Sequence, residues 1–168
     1  INSPETDFFK KGFNLYNLNN AKKESSNTEN LILVEGYMDV VSLYNRGVKN
    51  VAATLGTAIT TSQINLAWKN FDKIILCFDG DQSGLNASYR AAERVLKILK
   101  PGKDIFFTKI PNSQDPDDFI NQFGLNGFIS LINQSSDLVE IIFNHYAANV
   151  NRSKASEVAL LEKKLFNL

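Results

Sequence analysis

The sequence predicts an α/β fold, in which a mostly parallel sheet is flanked by helices and followed by a C-terminal helical appendage. Three observations support this prediction. Short aliphatic and β-branched runs alternate with stretches at helical spacing, as in β-α units with right-handed crossovers. Two of the runs end in an acid followed by glycine, at Glu35-Gly36 and Asp79-Gly80, which indicates buried strands that stop at a sheet edge. Beyond about Gly124 the pattern is helical throughout.

Residues 1–30 precede the first predicted strand and are polar and irregular. They contain an amphipathic patch, which we interpret as packing rather than base stacking, and then a loop at residues 22–28. The patch consists of aromatic and leucine side chains, namely Phe8, Phe9, Phe13, Leu15, Tyr16 and Leu18.

Four strands and three helices then alternate. The strands are predicted at residues 31–34, 51–53, 74–78 and 105–110. The helices are predicted at residues 37–45, at about 60–70 and at 83–99, the last from apolar residues at helical spacing. Gly47 ends the first helix, Thr60 or Thr61 caps the second, and Pro101-Gly102 terminates the third.

Composition sets loose bounds on function. A chain of 168 residues fits one domain with an appendage, and its 43% hydrophobic and 21% charged residues are ordinary for a globular protein. Lys and Arg balance Asp and Glu at 18 each, so the bulk charge identifies no partner. If the carboxylates cluster in one site, the remaining surface is basic by difference, which permits nucleic acid as a partner.

Cysteine usage and hydropathy predict the compartment. Cys77 is the only cysteine and lies in an apolar run, which excludes an intrachain disulfide and indicates a reducing compartment. No apolar stretch approaches the roughly 18 residues of a membrane span, and no segment resembles a signal peptide, so a cytoplasmic location without membrane contact is expected. The chain begins at Ile1 rather than Met, which predicts that it is an excised fragment.

The acids at the strand ends predict a metal site. Asp79 and Asp81 are two residues apart, so extended backbone would point both carboxylates to one side, with Gly80 leaving room for close approach. Glu35 is predicted at the same edge, where ligands bind in open α/β sheets. Oxygen ligands without nearby His or Cys favour Mg²⁺ or Mn²⁺, and such a site suits phosphoryl or nucleotidyl transfer. The only histidine, His145, is predicted in a distal helix and is not expected to be a ligand.

Each acidic segment also has a structural interpretation. Glu35 could be an acid that is simply solvated, and Asp79-Gly80 could form a tight turn, although a helical pattern follows it. Asp115-Pro116-Asp117-Asp118 is open between metal binding and helix initiation, in which Asp115 is the N-cap and Pro116 the first helical residue. The presence of all three segments in one chain favours a shared function.

Together these segments carry a resemblance to a known family. They are Val34-Glu35-Gly36-Tyr37-Met38-Asp39-Val40-Val41, Asp79-Gly80-Asp81-Gln82-Ser83-Gly84 and Asp115-Pro116-Asp117. They resemble the signature segments of the Toprim domain, in the variant found in bacterial-type DNA primases. Two more stretches are similar to the same primases, residues 2–16 before the first strand and Leu55-Gly56-Thr57-Ala58 with Thr60 after the second. The similarity extends to about Phe143.

The resemblance implies a role for individual residues. Glu35 resembles the catalytic general acid/base or metal organiser, and Asp39 an additional acid that supports the site. Asp79, Asp81, Asp115 and Asp117 resemble metal-binding acids, with Asp79 and Asp81 counted as catalytic as well. Lys11 resembles a basic residue that contacts nucleic acid or the incoming nucleotide.

The implied reaction is the joining of ribonucleoside triphosphates into a short RNA primer on a single-stranded DNA template, in the cytoplasmic replisome. The resemblance divides the chain into a lead-in segment from an upstream polymerase subdomain (1–30), a Toprim catalytic core (31–123) and a C-terminal helical subdomain (124–168). Such primases also have a zinc domain and a helicase-binding domain. This chain has no zinc-ligand set, so zinc and the replicative helicase are expected to bind only domains that are absent here. The fragment alone is expected to bind metal weakly and to make little or no primer.

Three alternatives stay open. Type IA and type II topoisomerases resemble the same core but need a nucleophilic tyrosine from another domain. A hydrolase could use Asp79 as nucleophile and Asp81 as acid. The chain could also be a non-catalytic module that binds nucleic acid or a helicase and has no activity of its own.

Several basic residues could contact a phosphate backbone or could be solvated surface. They are Lys10, Lys11, Lys22, Lys23, Arg46, Lys49 and Arg90.

Overall fold

The computed structural model describes residues 5–7, 9–24, 30–55 and 58–168. The strands are β1 (Asn30–Val34), β2 (Val51–Ala53), β3 (Lys73–Phe78), β4 (Asp104–Lys109) and β5 (Ser136–Asp137). The helices are α1 (Leu18–Glu24), α2 (Tyr37–Asn45), α3 (Thr61–Trp68), α4 (Gln82–Leu96), α5 (Pro116–Ile132), α6 (Leu138–Ala147) and α7 (Ala155–Phe166). A 3₁₀ turn covers Lys11–Phe13.

The sheet has the order β2-β1-β3-β4-β5, and its first four strands are parallel. The prediction of a mostly parallel sheet flanked by helices is therefore confirmed, with each predicted strand within one residue of its position. Because β1 and β3 are parallel neighbours, Leu33 pairs with Leu76 and both strands end at the same edge. The residues that follow them, Glu35 and Asp79, are thereby delivered to one rim of the sheet.

Alternate strand residues enter two separate cores. Leu31, Leu33, Ile74 and Leu76 face a core built with α3, α4 and α6, and their neighbours Ile32, Val34, Ile75 and Cys77 face a core shared with α2 and α5. This explains why the strands read as continuous apolar runs without alternation, since a central parallel strand is buried on both faces. Cys77 is fully buried, as its position in an apolar run predicts.

Several predicted boundaries differ from the structure. Residues 22–24, predicted as loop, end helix α1, whose Leu18 and Ala21 are buried in the first core. Tertiary burial thus overrides the low helix propensity of its asparagines. Helices α3 and α4 end at Trp68 and Leu96, earlier than predicted. Thr60 is confirmed as the N-cap of α3, with its side chain accepting from the Gln63 N–H (3.1 Å).

The prediction that residues beyond Gly124 are helical throughout is wrong at β5. Ser136 and Asp137 pair antiparallel with Phe107 and Phe106 of β4, and two polar residues are too short a run for any periodicity to reveal. Helix α5 bends at Gly124, which has a φ of 69°. Its second half places Phe128 and Ile132 in the second core. The division of the chain at 123/124 stays a prediction.

The lead-in segment lies along the outer edge of the sheet. Tyr16 forms an antiparallel bridge with Ala53 of β2, which covers that strand's free edge. Leu15 and Leu18 are buried, so packing is confirmed for them, whereas Phe13 is 63% exposed. Phe8, Asn2-Ser3-Pro4, the predicted loop residues 25–28 and Gly56-Thr57 lie outside the described residues. Among the described residues, no helix is both long and apolar enough to cross a bilayer.

Candidate metal centre at the sheet edge

Glu35 and Asp79 occupy the carboxyl ends of adjacent strands and interact electrostatically. Burial is the largest cause of a raised Glu35 pKa, and the negative charges of Asp79 and Asp81 raise it further. The pKa of Asp79 is likewise raised by burial and by the charges of Asp115 and Asp81. Strand order therefore brings together acids that are up to 80 positions apart, Glu35 to Asp115, on one rim.

Glu35 is the acid whose bonding is incomplete. Its Oε1 is buried and has no hydrogen-bond partner among the described residues. An unpaired buried carboxylate oxygen is costly and usually indicates a water, an ion or a catalytic role. A solvated acid at a strand end, the alternative that the sequence left open, does not have a buried oxygen.

The Asp79–Asp81 loop is shaped by two glycines. A Cβ on Gly80 would lie 2.5 Å from the Ile110 carbonyl oxygen and 2.8 Å from the Ser113 nitrogen, and one on Gly84 would lie 2.2 Å from the Asp79 carbonyl oxygen. The Gly80 N–H also donates to the Gln114 carbonyl (2.8 Å). The space predicted at Gly80 is thus filled by the loop after β4, and α4 follows at Gln82 in place of a hairpin.

Asp81 and Asp115 each begin a helix at this rim. Asp81 accepts from the Gly84 N–H (2.7 Å) as the N-cap of α4, and Asp115 accepts from the Asp118 N–H (2.7 Å) as the N-cap of α5. Pro116 is in the first turn of α5, as the helix-initiation interpretation predicts. The charge of Asp115 also raises the pKa of Asp79. Helix initiation and membership of the acidic cluster are therefore not exclusive.

Asp39 connects the segment after β1 to the start of α5 through hydrogen bonds to their backbone N–H groups. It is 9% exposed, and it accepts hydrogen bonds from the backbone N–H groups of Gly36 (3.2 Å) and Asp117. Burial raises its pKa to about 7, and the charges of Asp115 and Asp79 add to this shift. The sequence indicated Asp39 only as a supporting acid, and its burial depends on packing between α2 and α5.

Asp117 is engaged differently from the other predicted ligands. Its Oδ1 accepts from Ser42 Oγ (2.5 Å) and from Asn121 Nδ2 (2.7 Å), and Arg46 donates to the Asn121 side chain. Its charge is not among those that shift the pKa of Glu35, Asp39 or Asp79. The structure therefore ties Asp117 to α2, and its role as a metal ligand stays a prediction.

Lys11 lies on the lead-in segment, which is attached to the start of α3. Gln63, fully buried, donates its amide to the carbonyls of Lys11 (3.0 Å) and Asn14 (2.9 Å). Thr60 Oγ1 donates to the carbonyl of Gly12 (2.5 Å). Gln63 as the organiser of this segment was missed from sequence, although Thr60-x-x-Gln63 is a capping-box pattern that could have drawn attention to it.

The residues at the rim fit a hard divalent cation. The donors are carboxylate oxygens, and Glu35 has a buried oxygen without a partner among the described residues. The single cysteine of the sequence, Cys77, is buried in the core. His145 lies on α6 with its ring against Tyr89 of α4, and the expectation that it is not a ligand stays a prediction. Within the described residues no three acids, histidines or cysteines form a ready-made cage. Magnesium sites often need none, because the ion keeps waters and shares substrate phosphates.

Comparison with known proteins agrees with this geometry. Residues 32–120 match the family described as Toprim-like. The chain is 42% identical over 153 residues to a DNA primase of Legionella pneumophila, covering 91% of this chain and 27% of that protein. It is 39% identical over 165 residues to a DNA primase of Rickettsia felis, covering 98% and 28% respectively. The chain thus spans about a quarter of the length of these curated relatives.

Solved structures give the same result. The structure of the DnaG primase catalytic domain bound to ssDNA superposes with a TM-score of 0.90 at 35% identity, covering 97% of this chain and 53% of that chain. A DNA primase domain from Pseudomonas aeruginosa superposes with a TM-score of 0.90 at 37% identity, covering 96% and 50% respectively.

Proposed function

Since the chain belongs to the Toprim-like family, we propose that it is the catalytic Toprim part of a DNA primase, which synthesises short RNA primers for replication by metal-dependent nucleotidyl transfer. The observation that carries the proposal is the set of interacting acids at one rim, in which Glu35 has a buried, unpartnered oxygen. Similarity to proteins named DNA primase over more than nine-tenths of the chain supports the same conclusion.

In the proposed reaction each rim residue has a separate role. Glu35 has a raised pKa and a buried free oxygen, which suit a group that accepts a proton from an attacking hydroxyl or orients a cation. In this proposal Asp79 and Asp81 hold the metal together with Glu35, and Asp115 adds a further carboxylate. Helices α2, α4 and α5 all begin at this rim, so their N-terminal dipoles favour negative charge there. A bound divalent cation would stabilise charge on the incoming triphosphate and on the leaving pyrophosphate.

The choice of metal belongs to this proposal. The Toprim family generally uses divalent ions, and an all-oxygen donor set favours Mg²⁺ or Mn²⁺ over zinc.

Asp117 is proposed as a further metal ligand, and Lys11 is proposed to contact the nucleotide or the nucleic acid. Single-stranded DNA, which one similar catalytic domain binds in its solved structure, is the proposed template. Ribonucleoside triphosphates are the proposed substrates, and the replicative helicase is a proposed partner of another domain.

Glu35→Gln in the full-length protein tests the proposal. The substitution keeps the size of the side chain and removes its charge, so primer synthesis should be lost while binding of single-stranded DNA is retained. Glu162→Gln is the matched control, because Glu162 is exposed on α7, and it should leave both activities unchanged. Unchanged synthesis by Glu35→Gln would contradict the proposal, and a phosphorylated Asp79 would favour the hydrolase instead. The topoisomerase and binding-module alternatives have no supporting observation of their own.

A further inference from the structure

Arg90, on α4, lies between two neighbouring cavities. The inner cavity, of about 40 Å³, extends under the rim and is lined by Glu35, Arg90 and Arg94 among apolar residues. The outer crevice, of about 200 Å³, is lined by Asn86, Tyr89, Arg90, Glu93 and His145 between α4 and α6. Arg90 is the residue that lines both.

Arg90 and Arg94 are one helical turn apart but are engaged differently. Arg94 donates to the Ile59 carbonyl (2.9 Å), which holds the segment before α3 against α4. Arg90 is exposed, and within the described part of the chain its guanidinium makes no hydrogen bond or ion pair, although its charge lowers the pKa of Glu35. An exposed guanidinium beside the candidate metal centre, with its N–H donors unused, is suited to binding a phosphate group.

Two aromatic rings also line the outer crevice, Tyr89 on α4 and His145 on α6. The rings of Tyr89 and His145 lie 4.2 Å apart between centroids, at an interplanar angle of 35°. His145 is exposed, so its ring is accessible from solvent. Glu93, the acid of the crevice, accepts a hydrogen bond from the Tyr146 hydroxyl (2.7 Å) and is thereby held in place. His145 also contacts Tyr146 (5.0 Å between ring centroids). Proteins that bind single-stranded nucleic acid combine accessible aromatic rings with arginine, and the exposed His145 ring and Arg90 provide this combination.

We propose that the outer crevice binds one nucleotide unit of a nucleic-acid single strand, with a phosphate on Arg90 and the base against Tyr89 and His145. Because Arg90 also borders the inner cavity that contains Glu35, a strand bound in this way passes directly beside the candidate metal centre. The inference rests on the proposed function, and it adds a strand-binding position on the α4–α6 side of the rim.

The phosphate contact is tested by the salt dependence of binding to the 168-residue chain. Fluorescence anisotropy with a short labelled oligothymidylate gives the slope of log affinity against log salt for the wild type, Arg90→Ala and Lys97→Ala. Lys97 is exposed at the C-cap of α4 and lines neither cavity, so it is the matched control. Arg90→Ala should reduce the slope by about 0.7, the value for one phosphate contact to a single strand. Lys97→Ala should leave the slope unchanged, and an equal reduction by both variants would overturn the assignment.

The base contact is tested with the ring of His145. His145→Ala should weaken binding about fivefold or more, the lower limit for losing one stacked base. Phe143→Ala, which removes an exposed ring from the same helix outside the crevice, should not weaken binding. His145→Phe keeps an aromatic ring and should retain affinity for the strand. If His145→Ala fails to fold, the affinity of His145→Phe still tests whether a ring at this position is sufficient. Wild-type affinity in a folded His145→Ala would overturn the proposal.

A competition arm identifies the source of the nucleotide. Unlabelled oligothymidylate should displace the label, whereas ATP at the same nucleotide concentration should not. Efficient displacement by ATP would assign the crevice to a free nucleotide and overturn the assignment to a strand. The result is separable from that of the proposed function. If Glu35→Gln leaves primer synthesis intact but Arg90→Ala and His145→Ala weaken binding, the proposed function fails and the strand site stands.

Discussion

Asp39→Asn should remove a loss of stability that the chain undergoes as the pH rises towards 8 in the absence of divalent ions. Asp39 is 9% exposed, and its pKa in the fold is about 7 against an ordinary value of 3.8. The folded state therefore binds more protons than the unfolded state between about pH 4 and pH 7. The contribution of protonated Asp39 to the free energy of unfolding is therefore complete below about pH 4. It falls as the pH rises from 4 to 7, and it is absent above pH 7.

The magnitude follows from the same two values. A difference of about 3 pH units corresponds to about 4 kcal/mol of unfolding free energy, which internal water and relaxation reduce to about 2–4 kcal/mol. Asparagine keeps one oxygen that can accept from the Gly36 and Asp117 N–H groups, but it adds a buried amide NH₂ that costs about 1–3 kcal/mol if unpaired. The dependable quantity is therefore the pH dependence, which the variant should lose.

The assay is urea unfolding at pH 5, 6, 7 and 8 with a chelator present. Only about 2 of the 3 pH units lie above pH 5, so the wild type should lose about 1–3 kcal/mol more than Asp39→Asn between pH 5 and pH 8. Asp104→Asn is the control, because Asp104 is exposed on β4, and its profile should run parallel to that of the wild type. If the Asp39→Asn and wild-type profiles were parallel, the acid would not be neutralised by burial and the reasoning would be refuted.

Three further predictions concern the rim and the isolated chain. Gly84→Ala should destabilise the fold by about 1–3 kcal/mol in urea unfolding, because its Cβ would overlap the Asp79 carbonyl, and an unchanged midpoint would contradict this close approach. Asp117→Asn, which keeps an acceptor for Ser42, should weaken Mn²⁺ binding measured by electron paramagnetic resonance if Asp117 is a ligand, whereas Ser42→Ala, which keeps the charge, should weaken it less. Equal Mn²⁺ affinity of Asp117→Asn and the wild type would leave Asp117 as a link between helices. The chain alone should show thermal stabilisation by Mn²⁺ but little or no template-dependent primer synthesis, and robust synthesis would contradict that expectation.

Much of the rim could be predicted from sequence because parallel strands end together. A run such as Ile74–Phe78 is apolar on both faces, and the polar residue that follows it must lie at an edge. The N-caps Thr60, Asp81 and Asp115 belong to residue types whose side chains satisfy free N–H groups, so the helix starts were predictable within about a residue.

The parts that could not be predicted depend on packing between distant segments. Strand β5 exists because Phe106 and Phe107 offer an unpaired edge, and Ser136-Asp137 has no strand signal of its own. The burial of Asp39 and the hydrogen bond from Ser42 to Asp117 both require α2 to pack against α5. The crevice at Arg90 likewise joins α4 to His145, 55 positions later in the chain, and no local pattern encodes that meeting.

The contact at Gly80 has a consequence for how this rim can be altered. The Gly80 N–H donates to the Gln114 carbonyl. Because glycine has no Cβ, the backbone of Ile110 and Ser113 can pack directly against the backbone of Gly80. The segment after β3 and the segment before α5 are therefore fastened main chain to main chain, and the spacing of their acids is fixed before any cation arrives. A chimera that exchanged only one of the two segments with a relative would break this joint, so the pair must be transplanted as a unit.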